Sequence, residues 1–158
     1  MTQSEIVHDT FTLESTCPVS TAAVFAAFAE LEKKKRWYAD SNAYEVLEYG
    51  LDFNIGGREV LVGKMLASTP VAGAILKWSS VYDEIKPDVR IVFSQVVEMN
   101  ERRISCALVS AEFLPADAGC IVRLTHQAAF FEGSDGPHFR KMGWQALLDK
   151  LGGELAQQ

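Results

Sequence analysis

The stretch SDGPHFRKMGWQALLDKLGGEL, Ser134 to Leu155, decides how the rest of the chain is read. Trp144, Leu147, Leu148, Leu151 and Leu155 recur at spacings of three and four, the period of a helix with one apolar stripe. At about 100° per residue, Arg140 joins these five on one side, whereas Met142, Asp149 and Gly153 fall opposite. Ser134 and Asp135 can accept hydrogen bonds from the first free N–H groups, and Pro137 has its φ already set for a first turn. Gly152-Gly153 is expected to stop or fray the far end, so the core of the helix is placed at Pro137 to Leu151. Such a stripe must be covered. The segments before it alternate in the manner of strands, so the simplest solution is an α+β domain with a long helix laid across a curved antiparallel sheet.

The chain has 158 residues, 48% of them hydrophobic and 23% charged. That suits one domain, 1–158, with a real core and no linker. A net charge of −6 opposes a nucleic-acid role, because phosphate binding draws on clustered Lys and Arg. Met1 to Thr10 lacks a basic region followed by an apolar run, and no segment has the roughly 18 apolar residues a membrane span needs. A cytoplasmic protein without a membrane span is expected. Cys17, Cys106 and Cys120 have no CxxC spacing, which points to reduced thiols rather than a disulfide framework or a metal site.

In chain order, Glu5 to Ser15 alternates as a first strand ended by Cys17-Pro18. Ser20 is a fair N-cap for a short helix carrying Val24, Phe25 and Phe28, and Glu30 to Trp37 continues as a second helical piece. Within it, Lys33-Lys34-Lys35-Arg36 is a dense run of positive charge, either a solvated face or a dock for an anionic ligand or acidic partner. Tyr44 to Tyr49 and Asp52 to Gly63 read as strands, the second interrupted by Gly56-Gly57 as at a bulge. Met65 to Gly73 is a loop by composition. Ile75 to Ile85, Val89 to Glu98, Arg103 to Phe113 and Cys120 to Phe130 then form four long strands joined by short hairpin connections.

This order of strand, two short helices, six strands and long helix resembles the helix-grip fold of the START/Bet v 1-like (SRPBCC) superfamily. Within it, the chain is similar to the small bacterial proteins related to the carboxy-terminal domain of the activator of Hsp90 ATPase. The resemblance rests on Phe11 and Leu13 before Pro18, on Val24-Phe25 with Phe28, and on Trp37. It continues through Asp52 with Gly56-Gly57-Arg58, Ile85-Lys86-Pro87, Arg90-Ile91-Val92-Phe93 and Leu124-Thr125-His126, and ends with Gly143-Trp144 ahead of Leu147, Leu148 and Leu151. Asn54 departs from it, standing where many relatives carry an arginine.

The resemblance implies a cavity between sheet and helix, so function is sought among inward-facing residues. Ala107, Val109, Ala111 and Phe113 form one inner row whose small members would leave empty volume; Val122, Leu124, His126 and Ala128 form another. Trp37, Trp78, Tyr82, Phe130 and Trp144 are large aromatics suited either to cavity walls or to plain core. His126 reads as a core histidine satisfied by a neighbouring hydroxyl or carbonyl, or as a polar contact for a ligand. Arg140 lies within the apolar stripe and calls for a carboxylate, a ligand anion, or a position at the rim.

The expected function is binding of a small, largely apolar molecule, a lipid or aromatic metabolite, by Trp37, Trp78, Tyr82, Ala107, Val109, Ala111, Phe113, Leu124, His126, Phe130, Arg140 and Trp144. Arg140 and His126 would supply the polar end. The alternative implied by the resemblance is an Hsp90-activator-like module with a protein partner. None of the familiar nucleophile, metalloprotease or phosphate-loop motifs occurs; a third reading, implied by the resemblance to a fold that includes cyclases and lyases, is an enzyme using His126, Tyr82 and Arg140 for proton transfer. No cofactor and no metal are implied, and a monomer or weak dimer is expected.

Overall fold

A computed structural model describes residues 5–157. Seven strands form one antiparallel sheet: β1 (Val7–Cys17), β2 (Tyr44–Leu51), β3 (Arg58–Met65), β4 (Ile75–Lys86), β5 (Arg90–Met99), β6 (Arg102–Ala116) and β7 (Gly119–Phe130). Their spatial order is β1-β7-β6-β5-β4-β3-β2, so consecutive strands from β2 to β7 are hairpin neighbours and β1 closes onto β7. Between β1 and β2 come α1 (Thr21–Ala29), α2 (Leu31–Lys34) and a π-helical turn over Lys35–Ala39. The 20-residue α3 (Gly136–Leu155) lies against the curved sheet. This is the expected α+β helix-grip arrangement.

Local chemistry explains the joints. The Ser20 hydroxyl accepts from the Ala23 N–H at 3.2 Å and starts α1, as an N-cap serine should. Asn100 and Glu101, with φ of 51° and 69°, make the tight turn between β5 and β6, the backbone that matches strand twist in two-residue hairpins. Gly56-Gly57 lies in the β2–β3 connection and not inside a strand. Gly56 has φ 83°, and a Cβ on Gly57 would run into the Asp52 carbonyl, so the pair makes a turn that only glycine fits. The sheet bends instead at register shifts between Val46 and Glu48, Tyr82 and Glu84, and Val97 and Glu98.

In α3 the buried side chains are Arg140, Trp144, Leu148, Leu151 and Leu155, while Met142 and Phe139 are exposed. The helix passes through Gly152-Gly153 without stopping. Packing of Leu151 and Leu155 in the core outweighs the roughly 1 kcal/mol that each helical glycine costs. Asp135 stands at the N-cap but makes no capping bond; the Ser134 hydroxyl accepts from the Gly136 N–H instead, and Asp135 is used elsewhere. The core lies where α1, α3 and the π-helical turn meet the inner face of the sheet, and it includes Phe11, Phe28, Trp37, Val109, Ala111, Phe113 and Leu124. All three cysteines are free thiols.

Candidate functional site

The π-helical turn carries three consecutive buried residues, Trp37, Tyr38 and Ala39. A 3.6-residue period cannot bury three in a row, but the wider turn does, and such turns recur at functional sites. Trp37 points into the core, its indole N–H donating to the Ala27 carbonyl at 2.9 Å. Tyr38 faces a half-open cavity of about 800 Å³ between the Phe139–Lys150 part of α3 and β3, β4 and β5, a volume typical of small-molecule sites. Trp78 and Tyr44, with ring centroids 5.4 Å apart, wall it on the sheet side. Tyr38 and Trp144, at 6.3 Å, wall it near the helix, and Leu61 and Gln95 complete its floor.

Arg140 forms the polar end of this cavity. Its Nε donates to Asp135 Oδ2 at 3.0 Å and its Nη2 to Asp135 Oδ1 at 2.8 Å, a bidentate pair, and Nη2 also reaches Ser105 Oγ at 2.9 Å. The guanidinium lies over the Phe130 ring at 5.1 Å. Burial would raise the Asp135 carboxyl, but its bonds to Arg140 and that residue's charge prevail and hold it below the ordinary carboxylate value. The sequence had left a carboxylate or a ligand anion as the partner of Arg140; Asp135, five residues earlier, is the carboxylate.

Of the twelve residues expected around the cavity, the structure brings Trp78, Arg140 and Trp144 to its wall. Trp37, Val109, Ala111, Phe113, Leu124 and Phe130 are buried and do not line it, and Ala107 is partly buried against the core. Tyr82 belongs to a second polar cluster. Lys34, in the middle of the basic run, is 2% exposed and donates to Glu59 Oε1 at 2.7 Å and to the Tyr82 hydroxyl at 3.1 Å. Tyr49 and Tyr82 donate to the two Glu59 oxygens at 2.6 and 2.8 Å. Five aromatic rings surround the ammonium, the nearest that of Tyr38 at 4.5 Å. Burial lowers the Lys34 pKa and the Glu59 carboxylate pulls it back. Lys34 and Glu59 were not foreseen as partners. The available signal was that Glu59, Leu61 and Gly63 share one face of β3, which is the buried one.

His126 is fully buried and stacks on Phe11 with centroids 4.7 Å apart, and neither ring nitrogen has a hydrogen-bond partner among the described residues. Burial, with the nearby Arg140 charge, lowers its pKa to about 4. The unfolded chain therefore binds this proton first as pH falls, near the ordinary value of about 6.5. Stability is intact above that value and declines as pH drops toward about 4, with a slope of about 1.4 kcal/mol per pH unit. Urea unfolding of the parent chain and of His126→Leu across this range should show a steeper slope in the parent, the variant keeping only what the carboxylates contribute; identical slopes would remove His126 as a source.

Architecture and cavity together define a helix-grip domain. The family model described as activator of Hsp90 ATPase homolog 1-like protein matches residues 18–156, and the chain belongs to that family. Among solved structures, an uncharacterized protein from Rhizobium leguminosarum is 28% identical, with a TM-score of 0.89 and 98% of each chain covered. A protein from Rhizobium loti is 33% identical with a TM-score of 0.83, covering 95% of this chain and 99% of that one. An activator-like protein from Aeromonas hydrophila, 19% identical with a TM-score of 0.69 over 94% of this chain and 93% of that one, shares the fold. No curated protein matches. No helix among the described residues is long and apolar enough to cross a membrane.

Proposed function

We propose that the chain binds a small, largely apolar or aromatic molecule in the cavity beside α3. The observation that carries this reading is a half-open cavity of about 800 Å³ with Trp78 and Tyr44 on one wall and Tyr38 and Trp144 on another. A space lined by rings on several sides accepts flat or greasy ligands at little desolvation cost. Trp78, Trp144 and Arg140 would touch the ligand. The remaining residues expected at the site, His126 and Tyr82 among them, would shape the wall from behind.

Gly143 gives a test that separates binding from folding. It lines the cavity from α3, and a Cβ placed there meets nothing within 4 Å. Gly143→Leu should therefore project into the space and narrow it while gaining up to about 1 kcal/mol of helix propensity. In a thermal-shift screen of lipids and aromatic metabolites, backed by native mass spectrometry, the parent should gain stability with its ligand and the variant should not. A ligand that shifts both equally would place binding outside the cavity.

The protein-interaction reading ranks second. Its local support was Lys33 to Arg36, but these cations are engaged within the chain: Lys33 with Glu30 at 3.3 Å, Lys34 with Glu59, Lys35 with Asp40 at 3.9 Å and Arg36 with Glu154 at 3.3 Å. The exposed pairs among them are individually weak. The acid–base reading would need a proton donor and acceptor facing one substrate, and of His126, Tyr82 and Arg140 only Arg140 lines the cavity.

A further inference from the structure

Cys17 is the last residue of β1 and Cys120 the second of β7, and the register of the two strands sets them directly opposite each other. Both are free thiols with no exposed surface, turned into the core on the inner face of the sheet. Residues directly opposite in an antiparallel pair point to the same face, with Cα atoms about 4.5–5.5 Å apart. That separation lies inside the roughly 4.4–6.8 Å that a disulfide spans. The backbones also approach closely here. Gly119 takes φ 135°, and a Cβ on it would run into the Cys17 carbonyl and the Val19 backbone. The third thiol is remote: Cys106 on β6 is in register with Ala129, at the opposite end of β7 from Cys120.

β1 lies at one edge of the sheet and pairs with β7 alone among the described strands, while α3 packs on it. We propose that Cys17 and Cys120 are a redox pair that a hydroperoxide closes to a disulfide, stapling this edge strand to the sheet. The exchange involves two electrons. One thiolate takes the terminal oxygen of the peroxide and becomes a sulfenic acid; the O–O bond breaks, and the departing oxygen takes up a proton and leaves as an alcohol or water. The second sulfur then attacks the sulfenic sulfur, so that the S–S bond forms, the S–O bond breaks, and hydroxide leaves as water with the second thiol's proton. Burial, with Cys120 alongside, pushes the Cys17 thiol up to about 11, so the pair stays reduced while the ladder is closed. Fraying at the end of β1 supplies both thiolate and access. The bond would join segments separated by most of the chain, which restricts the unfolded state more than a short loop would.

Intact mass spectrometry with non-reducing peptide mapping tests this on the folded chain treated with hydrogen peroxide. The product should be a monomer lighter by two hydrogens that carries a Cys17–Cys120 cross-link, and sub-denaturing urea, which frays the strand end, should speed its formation. Its unfolding temperature should rise by about 5–15 °C and fall back with dithiothreitol. Cys106→Ala should give the same product and Cys17→Ala should not; the peptide map of Cys106→Ala keeps the assignment decisive if Cys17→Ala fails to fold. A cross-link that appears only beyond the unfolding transition would overturn the proposal and leave the two thiols as plain core residues. Oxidation confined to Cys106, interchain dimers through it, or sulfinic acid at Cys17 or Cys120 without a cross-link would overturn it equally.

Discussion

Lys34→Met is expected to destabilise the chain by about 3–5 kcal/mol, because it leaves the Glu59 carboxylate buried without its counter-ion. Both partners are 2% exposed and sit 2.7 Å apart inside a ring of aromatic side chains. The double variant Lys34→Met, Glu59→Gln should recover a large part of that loss. The amide oxygen can still accept from a tyrosine, and no charge remains to be desolvated. Urea unfolding of the two single variants and the double completes the cycle. A Lys34→Met chain within about 1 kcal/mol of the parent would mean that the pair contributes nothing beyond its volume. The cost also has a local meaning. Tyr38 packs on the Lys34 ammonium and lines the cavity, so loosening the pair should disturb the cavity wall before the far side of the sheet.

Leu148→Ala is expected to cost about 2–5 kcal/mol, the range for removing a large aliphatic side chain from a site with no solvent access. Leu148 is 0% exposed and sits in the main core. Trp144→Ala should fall in the same range, with the difference that one side of the indole faces the cavity, where no atoms are lost from contact. Phe139→Ser on the same helix should change stability by less than about 0.5 kcal/mol, since Phe139 is 64% exposed. Thermal unfolding of the three variants checks the order. Equal values for Leu148→Ala and Phe139→Ser would contradict the placement of α3 on the sheet.

The fold was legible because its elements repeat a period over many residues. The stripe Trp144, Leu147, Leu148, Leu151 and Leu155, and the alternation along β5, β6 and β7, each reinforce one reading many times. The site was legible only where a residue broke its own pattern, as Arg140 does by sitting in an apolar stripe. Lys34 gave no such signal. Three neighbouring cations hid it, and only its spacing of three and four from the buried Trp37 and Tyr38 sets it apart from them. Glu59 was hidden by Val60 and Val62, which alternation alone would have turned inward in its place. The cavity lies beside Leu61, Trp78 and Gln95 and away from the small residues of β6, because Ala111 is covered by the packed core. A sequence shows which side chains are small, but a void depends on what lies opposite them.

The pairing of β1 with β7 bears on how the chain reaches this state. Val7 is in register with Phe130 and Cys17 with Cys120, so the first described strand pairs with the last. The other strand pairings are hairpins and can form locally. Closing β1 onto β7 joins segments separated by most of the chain, and such non-local contacts carry the entropy of a long loop before they return any energy. The expected order of assembly runs from the β2-to-β7 meander to its closure by β1, with α3 packing on β1 and the π-helical turn. Until that moment β7 presents an open backbone edge to any other nascent copy of the chain, and the speed of the closing step sets how long that hazard lasts.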